Sequence, residues 1–228
     1  MLARHFSPQL FRFLRQLKRH NDRDWFARNR EQYECEVREP LLRFVADVAE
    51  PLARISPAVN ADPRPTGGSV FRIWRDTRFS KDKTPFKTHA AAHFRHRAGR
   101  NVHAPGFYLH LEPGNVFFGA GIWHPDQEAL DAIRRGILDN AELWRKITRS
   151  RAFRAACYWD GDSAKRTPPG IDPGHPLIED LLRKDFTVLT DVPEKDALRP
   201  DFLDRFVRFC RAVSGLNAFL ARSLSLEW

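Results

Sequence analysis

The sequence has 228 residues, of which 42% are hydrophobic and 29% are charged, and this length and composition suit one globular domain, residues 1–228. No uncharged apolar run approaches the roughly 20 residues that span a bilayer, so we predict no membrane partner. Three widely spaced cysteines without a CxxC pair exclude a disulfide framework, a zinc ribbon and a thioredoxin-type redox site. Residues 1–8 lack the apolar core and cleavage site of a signal peptide, and we therefore expect a cytoplasmic protein.

Three helices are predicted before residue 56. The first begins at Pro8, directly after a serine that suits the N-cap, and the second follows a polar break at residues 20–24. The third runs from Pro40 to Leu52 with apolar residues three and four apart. We expect Pro51 to kink or end it, because proline cannot donate the helical hydrogen bond.

The hydrophobic period changes to two after a Pro- and Gly-rich loop at residues 56–68. Apolar and polar residues alternate at 71–74, 86–95 and 107–112, and residues 115–123 are apolar almost throughout. Short turns between these segments suit antiparallel hairpins. The pattern predicts a four-stranded meander.

The helical period returns after Pro125, with Asp126 and Asn140 at the start of two helices. We further predict a loop or lid at 160–176, a helix at 175–183, an edge strand at 186–189, and two terminal helices at 201–213 and 216–224. The predicted class is α+β, with N-terminal helices, a mainly antiparallel sheet at about residues 69–123, and C-terminal helices.

The positive charge is concentrated in one part of the chain. The net charge is +9, and residues 64–100 contain ten Arg or Lys against two acids, which gives +8 of that total. Six of the ten lie in the basic segment, which we define as Arg72–Lys87. Because like charges raise the energy of a compact loop, a bound anion or acids from elsewhere must compensate them.

The basic segment also carries a family resemblance. Its order of residues is Arg72, Arg75-Asp76, Arg78-Phe79, Asp82-Lys83 and Phe86. This order resembles the signature of a family of uncharacterised bacterial proteins of about this length, a domain of unknown function. The likeness extends along most of the chain and includes residues 20–26, 119–125 and 165–170. The resemblance implies a fold and no activity. The family's closing aromatic is usually tyrosine, and Phe86 therefore cannot carry a proton here.

We predict that the basic segment binds a phosphate, nucleotide or carboxylate. The protein could be an enzyme that acts on a small substrate of that kind. Arg72, Arg75 and Arg78 would donate to the anion, with Lys83 and Lys87 as secondary charges. Asp76 would orient an arginine or act as a base.

Two alternatives stay open for the basic segment. It could form a nucleic-acid groove in which Trp74, Phe79 and Phe86 stack on bases. It could instead be a salt-bridge network that stabilises the fold or a partner contact. In that case Asp76 and Asp82 would bridge their neighbours, Phe79, Pro85 and Phe86 would enter the core, and acids such as Glu31, Glu34 or Glu36 would neutralise the cluster.

A second group of candidates lies in the predicted sheet. Tyr108, His110 and Glu112 share one face of a strand, and a histidine beside a carboxylate is a candidate general acid or base. The alternative is a polar sheet face that bonds to a covering helix. His89 and His93 would lie about 13 Å apart along a strand, so no metal is predicted. Gly119-Ala-Gly121 lacks the rest of a dinucleotide fingerprint, and no cofactor is predicted.

Overall fold

The computed structural model describes residues 4–98 and 104–228. Arg100 and His103, which belong to the charge and histidine clusters of the sequence, lie outside the described residues. The α+β class is confirmed, with helices first, a six-stranded antiparallel sheet in the middle, and a long helix at the C-terminal end.

The N-terminal part is helical up to Ala53. It consists of α1 (Pro8–Arg19), α2 (Arg23–Arg28), α3 (Arg30–Tyr33), a π-helical turn (Glu34–Arg38) and α4 (Glu39–Ala53). The Asp22 side chain caps α2 by accepting from the Trp25 amide at 2.8 Å. Pro51 lies inside the last turn of α4 and does not end it. Pro51 cannot donate the helical hydrogen bond to the carbonyl four residues earlier, and the helix ends two residues after it.

The sheet contains β1 (Val59–Asn60), β2 (Ala90–His96), β3 (Gly106–Glu112), β4 (Asn115–Ile122), β5 (Tyr158–Asp160) and β6 (Phe186–Val192). The strands are hydrogen-bonded in the order β1-β2-β3-β4-β6-β5, and every pair is antiparallel. The meander prediction is therefore right for β2 to β4. The strand predicted at 186–189 is confirmed as β6, but its predicted place at the sheet edge is wrong, because β6 lies between β4 and β5. A strand of three residues such as β5 is too short to show a period.

The predicted strand at 71–74 is also wrong. Residues there make only the isolated bridges Val70 to Ala92 and Trp74 to Phe86. β2 begins at Ala90 and not at the predicted residue 86, because Phe86 is held by contacts outside the sheet. Both backbone groups of Phe86 bond to the Asn21 side chain, with its carbonyl accepting at 2.9 Å and its amide donating at 3.0 Å. The Phe86 ring stacks on Phe26, 4.2 Å between centroids, which holds this residue against the helices.

The helices after the sheet are α5 (Gln127–Asp139), α6 (Ala141–Thr148), α7 (Arg151–Ala156), α8 (Ile178–Leu181), α9 (Glu194–Ala197) and α10 (Phe202–Ser223). Asp126 caps α5 as predicted, accepting from the Ala129 amide at 2.8 Å. The two predicted terminal helices are one, since α10 continues through Gly215. The helix predicted at 175–183 shrinks to the single turn α8.

The strands place alternate residues on two different faces. On one face, Phe94, Phe107, Leu109 and Phe118 are buried in the core with the helices. The Phe118 ring packs against aromatic rings of α10, and its centroid is 5.1 Å from that of the Phe206 ring. The alternate residues of β2, β3 and β4 project to the opposite face, where a concave surface remains open. The helix layer therefore supplies the core, and the opposite sheet face supplies the cleft described below.

Candidate functional site

The open sheet face contains a cleft of about 620 Å³, which we call the sheet cleft. Its residues come from five neighbouring strands, β2 to β6, and from segments outside the strands. The strand residues share one side of the sheet because side chains alternate along each strand. The ones that matter below are Phe71, His89, His93, Arg95, Tyr108, His110, Phe117, Gly119, Gly121 and Trp123.

Two glycines that line the sheet cleft lie where neighbouring groups approach the backbone closely. Gly121 has φ +109°, and a Cβ atom there would overlap the Phe186 carbonyl oxygen of β6. The lack of a side chain at Gly121 therefore allows the β6 backbone to approach β4 closely. A Cβ on Gly106 would come within 2.8 Å of His93 Nε2, so the His93 ring lies directly over that glycine.

Three neutral histidines line the sheet cleft. The His110 ring lies between His89, with centroids 4.5 Å apart, and Phe117, with centroids 4.6 Å apart and planes 13° from parallel. Burial lowers the pKa of His89 to about 4 and that of His93 to about 4. Burial also lowers the pKa of His110, although Glu112 acts in the opposite direction. All three rings are therefore uncharged at neutral pH.

A chain of hydrogen bonds joins Tyr108, His110 and Glu112. The Tyr108 hydroxyl is 3.1 Å from His110 Nδ1, and His110 Nε2 is 3.5 Å from a Glu112 oxygen, the longer and weaker of the two contacts. Thr88 and Asn115 also donate to Glu112, at 3.2 and 3.4 Å. The structure therefore brings together the two sheet residues predicted as acid or base, His110 and Glu112, and adds Tyr108.

The protonation states of this chain are mutually consistent. Burial raises the pKa of Tyr108 to about 12, so its phenol keeps its proton. Burial also acts to raise the pKa of Glu112, but hydrogen bonds from His110, Asn115 and Thr88 outweigh it and lower that pKa. The ionised carboxylate accepts from the Nε2–H of neutral His110, which leaves Nδ1 as the acceptor for Tyr108.

Two cations lie close to the ring of Phe71, and one of them, Arg95, lines the sheet cleft together with Phe71. Lys87 Nζ is 4.9 Å from the centre of the Phe71 ring and donates to the Arg72 carbonyl at 3.1 Å. Burial lowers the pKa of Lys87, and the charge of Arg72 adds to this. The Arg95 guanidinium is 6.0 Å from the same ring, and Arg95 Nε donates to His93 Nδ1 at 3.3 Å.

Most of the basic segment is hydrogen-bonded within itself. Arg75 bonds to Asp82 and Thr84, Arg78 to Asp76 at 2.7 Å, and Lys83 to the Thr77 carbonyl at 2.9 Å. The bonds from Arg78 lower the pKa of Asp76 to about 2, and those from Arg75 and Thr84 lower the pKa of Asp82 to about 2. The Arg72 side chain forms no hydrogen bond or ion pair with any described residue.

The aromatic residues of the basic segment have different environments. Phe86 is buried, as the structural hypothesis requires, but Phe79 is 96% exposed and Trp74 is 46% exposed. Two of the three acids proposed to neutralise the segment have partners elsewhere. Glu34 pairs with Arg38 at 2.8 Å, and Glu36 accepts from Ser7 at 3.2 Å.

Within the described ranges, no three His, Cys, Asp or Glu side chains are grouped so that they could hold a metal ion. In the same part of the chain, none of the helices has the length and apolar character needed to cross a membrane. The cysteines are free thiols, of which Cys210 is buried.

The fold and the site define an α+β protein whose antiparallel sheet has helices on one face and a histidine-lined cleft on the other. A family model matches residues 9–219, and the chain belongs to that family, described as conserved hypothetical protein (DUF2461). No curated protein and no solved structure matches the chain.

Proposed function

We propose that the protein binds a small carboxylate or phosphate ligand in the sheet cleft. The observation that carries this proposal is that Arg95 and Phe71 line a cleft with aromatic walls, with Lys87 close to the same Phe71 ring. Arginine offers a planar pair of donors to such anions, and lysine offers a compact charge. Lys87 belongs to the anion ligands predicted from the sequence, and Arg95 is an addition from the structure.

The walls of the sheet cleft favour a ligand with a flat apolar body. Phe71, Phe117, Tyr108 and Trp123 present rings to it, and Trp123 is 69% exposed. Pockets for small molecules typically combine apolar walls with a few polar groups that fix orientation. An aromatic or unsaturated carboxylate meets both requirements, because its ring would contact the walls while its anionic end lies near Arg95.

Thermal unfolding at fixed ionic strength tests this proposal with benzoate and inorganic phosphate as probes. A ligand at about 100 times its Kd should stabilise the protein by roughly 2.7 kcal/mol. We expect Arg95→Gln to remove most of this effect. Arg78→Gln is the matched control, because Arg78 is a predicted anion ligand in the basic segment and does not line the cleft. Fixed ionic strength is needed because screening alone stabilises crowded cations.

The outcomes separate the two anion sites. A parent protein that neither probe stabilises contradicts the proposal. Stabilisation that is lost in Arg78→Gln but kept in Arg95→Gln would assign the anion to the basic segment. One observation favours this second site. The Arg72 side chain is exposed and forms no hydrogen bond or ion pair with any described residue.

Nucleic-acid binding is a second candidate function, favoured by one observation. Phe79 is 96% exposed at the tip of a loop that also exposes Arg78, Lys81 and Lys83. Aromatic stacking combined with nearby cations is the usual mode of binding single strands. Salt-dependent binding of a labelled single-stranded oligonucleotide, weakened by Phe79→Ala, would support this function.

A further inference from the structure

The sheet cleft contains a hydrogen-bonded chain that anion binding does not require. Tyr108 and His110 both line the cleft, the His110 side chain is 9% exposed, and Glu112 lies at the end of the hydrogen-bonded chain. Tyr108 is half-buried, so a ligand in the cleft can reach its side chain. His110 cannot turn easily, because it is packed between His89 and Phe117.

The direction of the hydrogen bonds determines what Tyr108 can do. Its proton points to His110 Nδ1, so the lone pairs of its oxygen remain available to accept a proton from a ligand. Neutral His110 can take up the phenolic proton, and the nearby carboxylate of Glu112 stabilises the imidazolium that forms. Serine hydrolases use the same logic, in which a carboxylate fixes the tautomer of the histidine that receives the proton.

We propose that Tyr108 is a catalytic acid–base residue, with His110 and Glu112 as its positioning residues, for carboxylates that carry an acidic C–H next to a carbonyl group. The proposal rests on anion binding in the sheet cleft. In the forward step the C–H bond breaks and its proton goes to Tyr108 Oη. The electron pair moves onto the carbonyl oxygen and forms an enolate, while the phenolic proton of Tyr108 forms the new Nδ1–H bond of His110.

The cations near the Phe71 ring suit this step. The enolate has one more negative charge than the ligand from which it forms. Arg95 lines the cleft, and Lys87 Nζ lies 4.9 Å from the centre of the Phe71 ring in its wall. Charge that develops next to fixed cations in a partly desolvated site is stabilised more than the ground state. The reverse step returns a proton from Tyr108 to the carbon or to the oxygen, so no oxidant, reductant or co-reactant is needed.

Phenylpyruvate in D₂O is a suitable probe, because it has an aromatic ring, a carboxylate and an acidic methylene group. We expect the parent protein to accelerate the exchange of the methylene hydrogens for deuterium, followed by proton NMR. Tyr108→Phe should lower the rate constant by at least about 100-fold, as for loss of a general acid or base. Its affinity for phenylpyruvate, measured by calorimetry, should change less than about 3-fold, because the ring of residue 108 remains.

Glu112→Gln is the second variant and tests the positioning role. Its amide can donate to His110 Nε2, which would move the ring hydrogen to Nδ1 and remove the acceptor for Tyr108. We expect a loss of exchange close to that of Tyr108→Phe, with affinity kept and with a change of His110 tautomer in ¹⁵N NMR. Tyr158→Phe is the matched control, since Tyr158 bonds to Asp191 at 2.8 Å and does not line the cleft.

The outcomes distinguish the proton relay through Tyr108 from anion binding in the sheet cleft. Binding of phenylpyruvate without faster exchange overturns the proton relay and leaves anion binding intact. Exchange that survives in Tyr108→Phe overturns the catalytic role of Tyr108, and exchange that survives in Glu112→Gln with an unchanged tautomer overturns the positioning role. If phenylpyruvate, benzoate and phosphate all fail to bind, both proposals are wrong.

Discussion

Gly121 has a backbone conformation that residues with a Cβ atom rarely adopt, with φ at +109°. We expect Gly121→Ala to lower the free energy of unfolding by about 3 kcal/mol, because it adds backbone strain and a contact with the Phe186 carbonyl. Gly114→Ala is the control, since Gly114 has φ +77° with open space around it. It should cost only about 1–2 kcal/mol. Urea unfolding measures the free energy of unfolding of both variants. Equal losses in the two would show that the close approach of β6 to Gly121 is not the cause.

At the level of single residues, the sequence predicts which site residues share a face when they lie on the same strand. Alternation along β3 places His110 and Glu112 on the same face, and the structure has them in contact. The same alternation on β2 places His93 beside Arg95, so Arg95 could have been found in this way. Phe71 could not, because it reaches the sheet cleft from a segment outside the strands.

At the level of elements, the wrong predictions share a cause in tertiary contacts. The period of two continues through Phe86, but the backbone of that residue bonds to Asn21, which is 65 positions earlier in the chain. Local alternation contains no information about such a partner. The break predicted near Gly215 fails for a similar reason, since α10 has enough buried residues on either side to continue through a glycine.

Gly215 provides a test of this explanation for α10. A Cβ atom there would meet Ile147 at 3.5 and 3.6 Å, which is ordinary van der Waals contact. Alanine lowers the conformational entropy of the unfolded chain and favours the helix, so we expect Gly215→Ala to raise the free energy of unfolding by about 0.5–1 kcal/mol.

Gly136→Ala in α5 is the control for this prediction. Its Cβ atom would come too close to the Ser223 side chain, and the gain should therefore be lost. Chemical denaturation of both variants measures the difference. Destabilisation by Gly215→Ala would mean that α6 and α10 pack more tightly than the structure shows.

At the level of the whole molecule, the uneven charge of the sequence does not produce a uniform basic surface. Asp76 and Asp82 neutralise two arginines of the basic segment locally, and these pairs are largely exposed. Exposed ion pairs contribute little to stability. We therefore expect these ion pairs to contribute little to the stability of the fold, and we expect its pH dependence to come from the neutral histidines of the sheet cleft.

The last prediction concerns stability in mild acid. The pKa of His89 and of His93 is about 4 in the folded protein, against an ordinary value of 6.5. Between these values the unfolded chain binds more protons than the folded one. The stabilising effect of the neutral rings is therefore complete above pH 6.5 and declines as the pH falls to about 4. His110 acts in the same direction.

Urea unfolding between pH 7 and 4.5 measures this decline. His93 faces Arg95, whereas His89 faces His110, Lys87 and Glu112, so His93→Gln removes one proton-binding site with few coupled charges. We expect His93→Gln to lower proton uptake on unfolding by up to one proton in this range. Asp76→Asn should leave the slope unchanged, because the folded and unfolded pKa values of Asp76, about 2 and 3.8, lie below it. An equal pH slope in the parent and His93→Gln would contradict the buried, neutral state of His93.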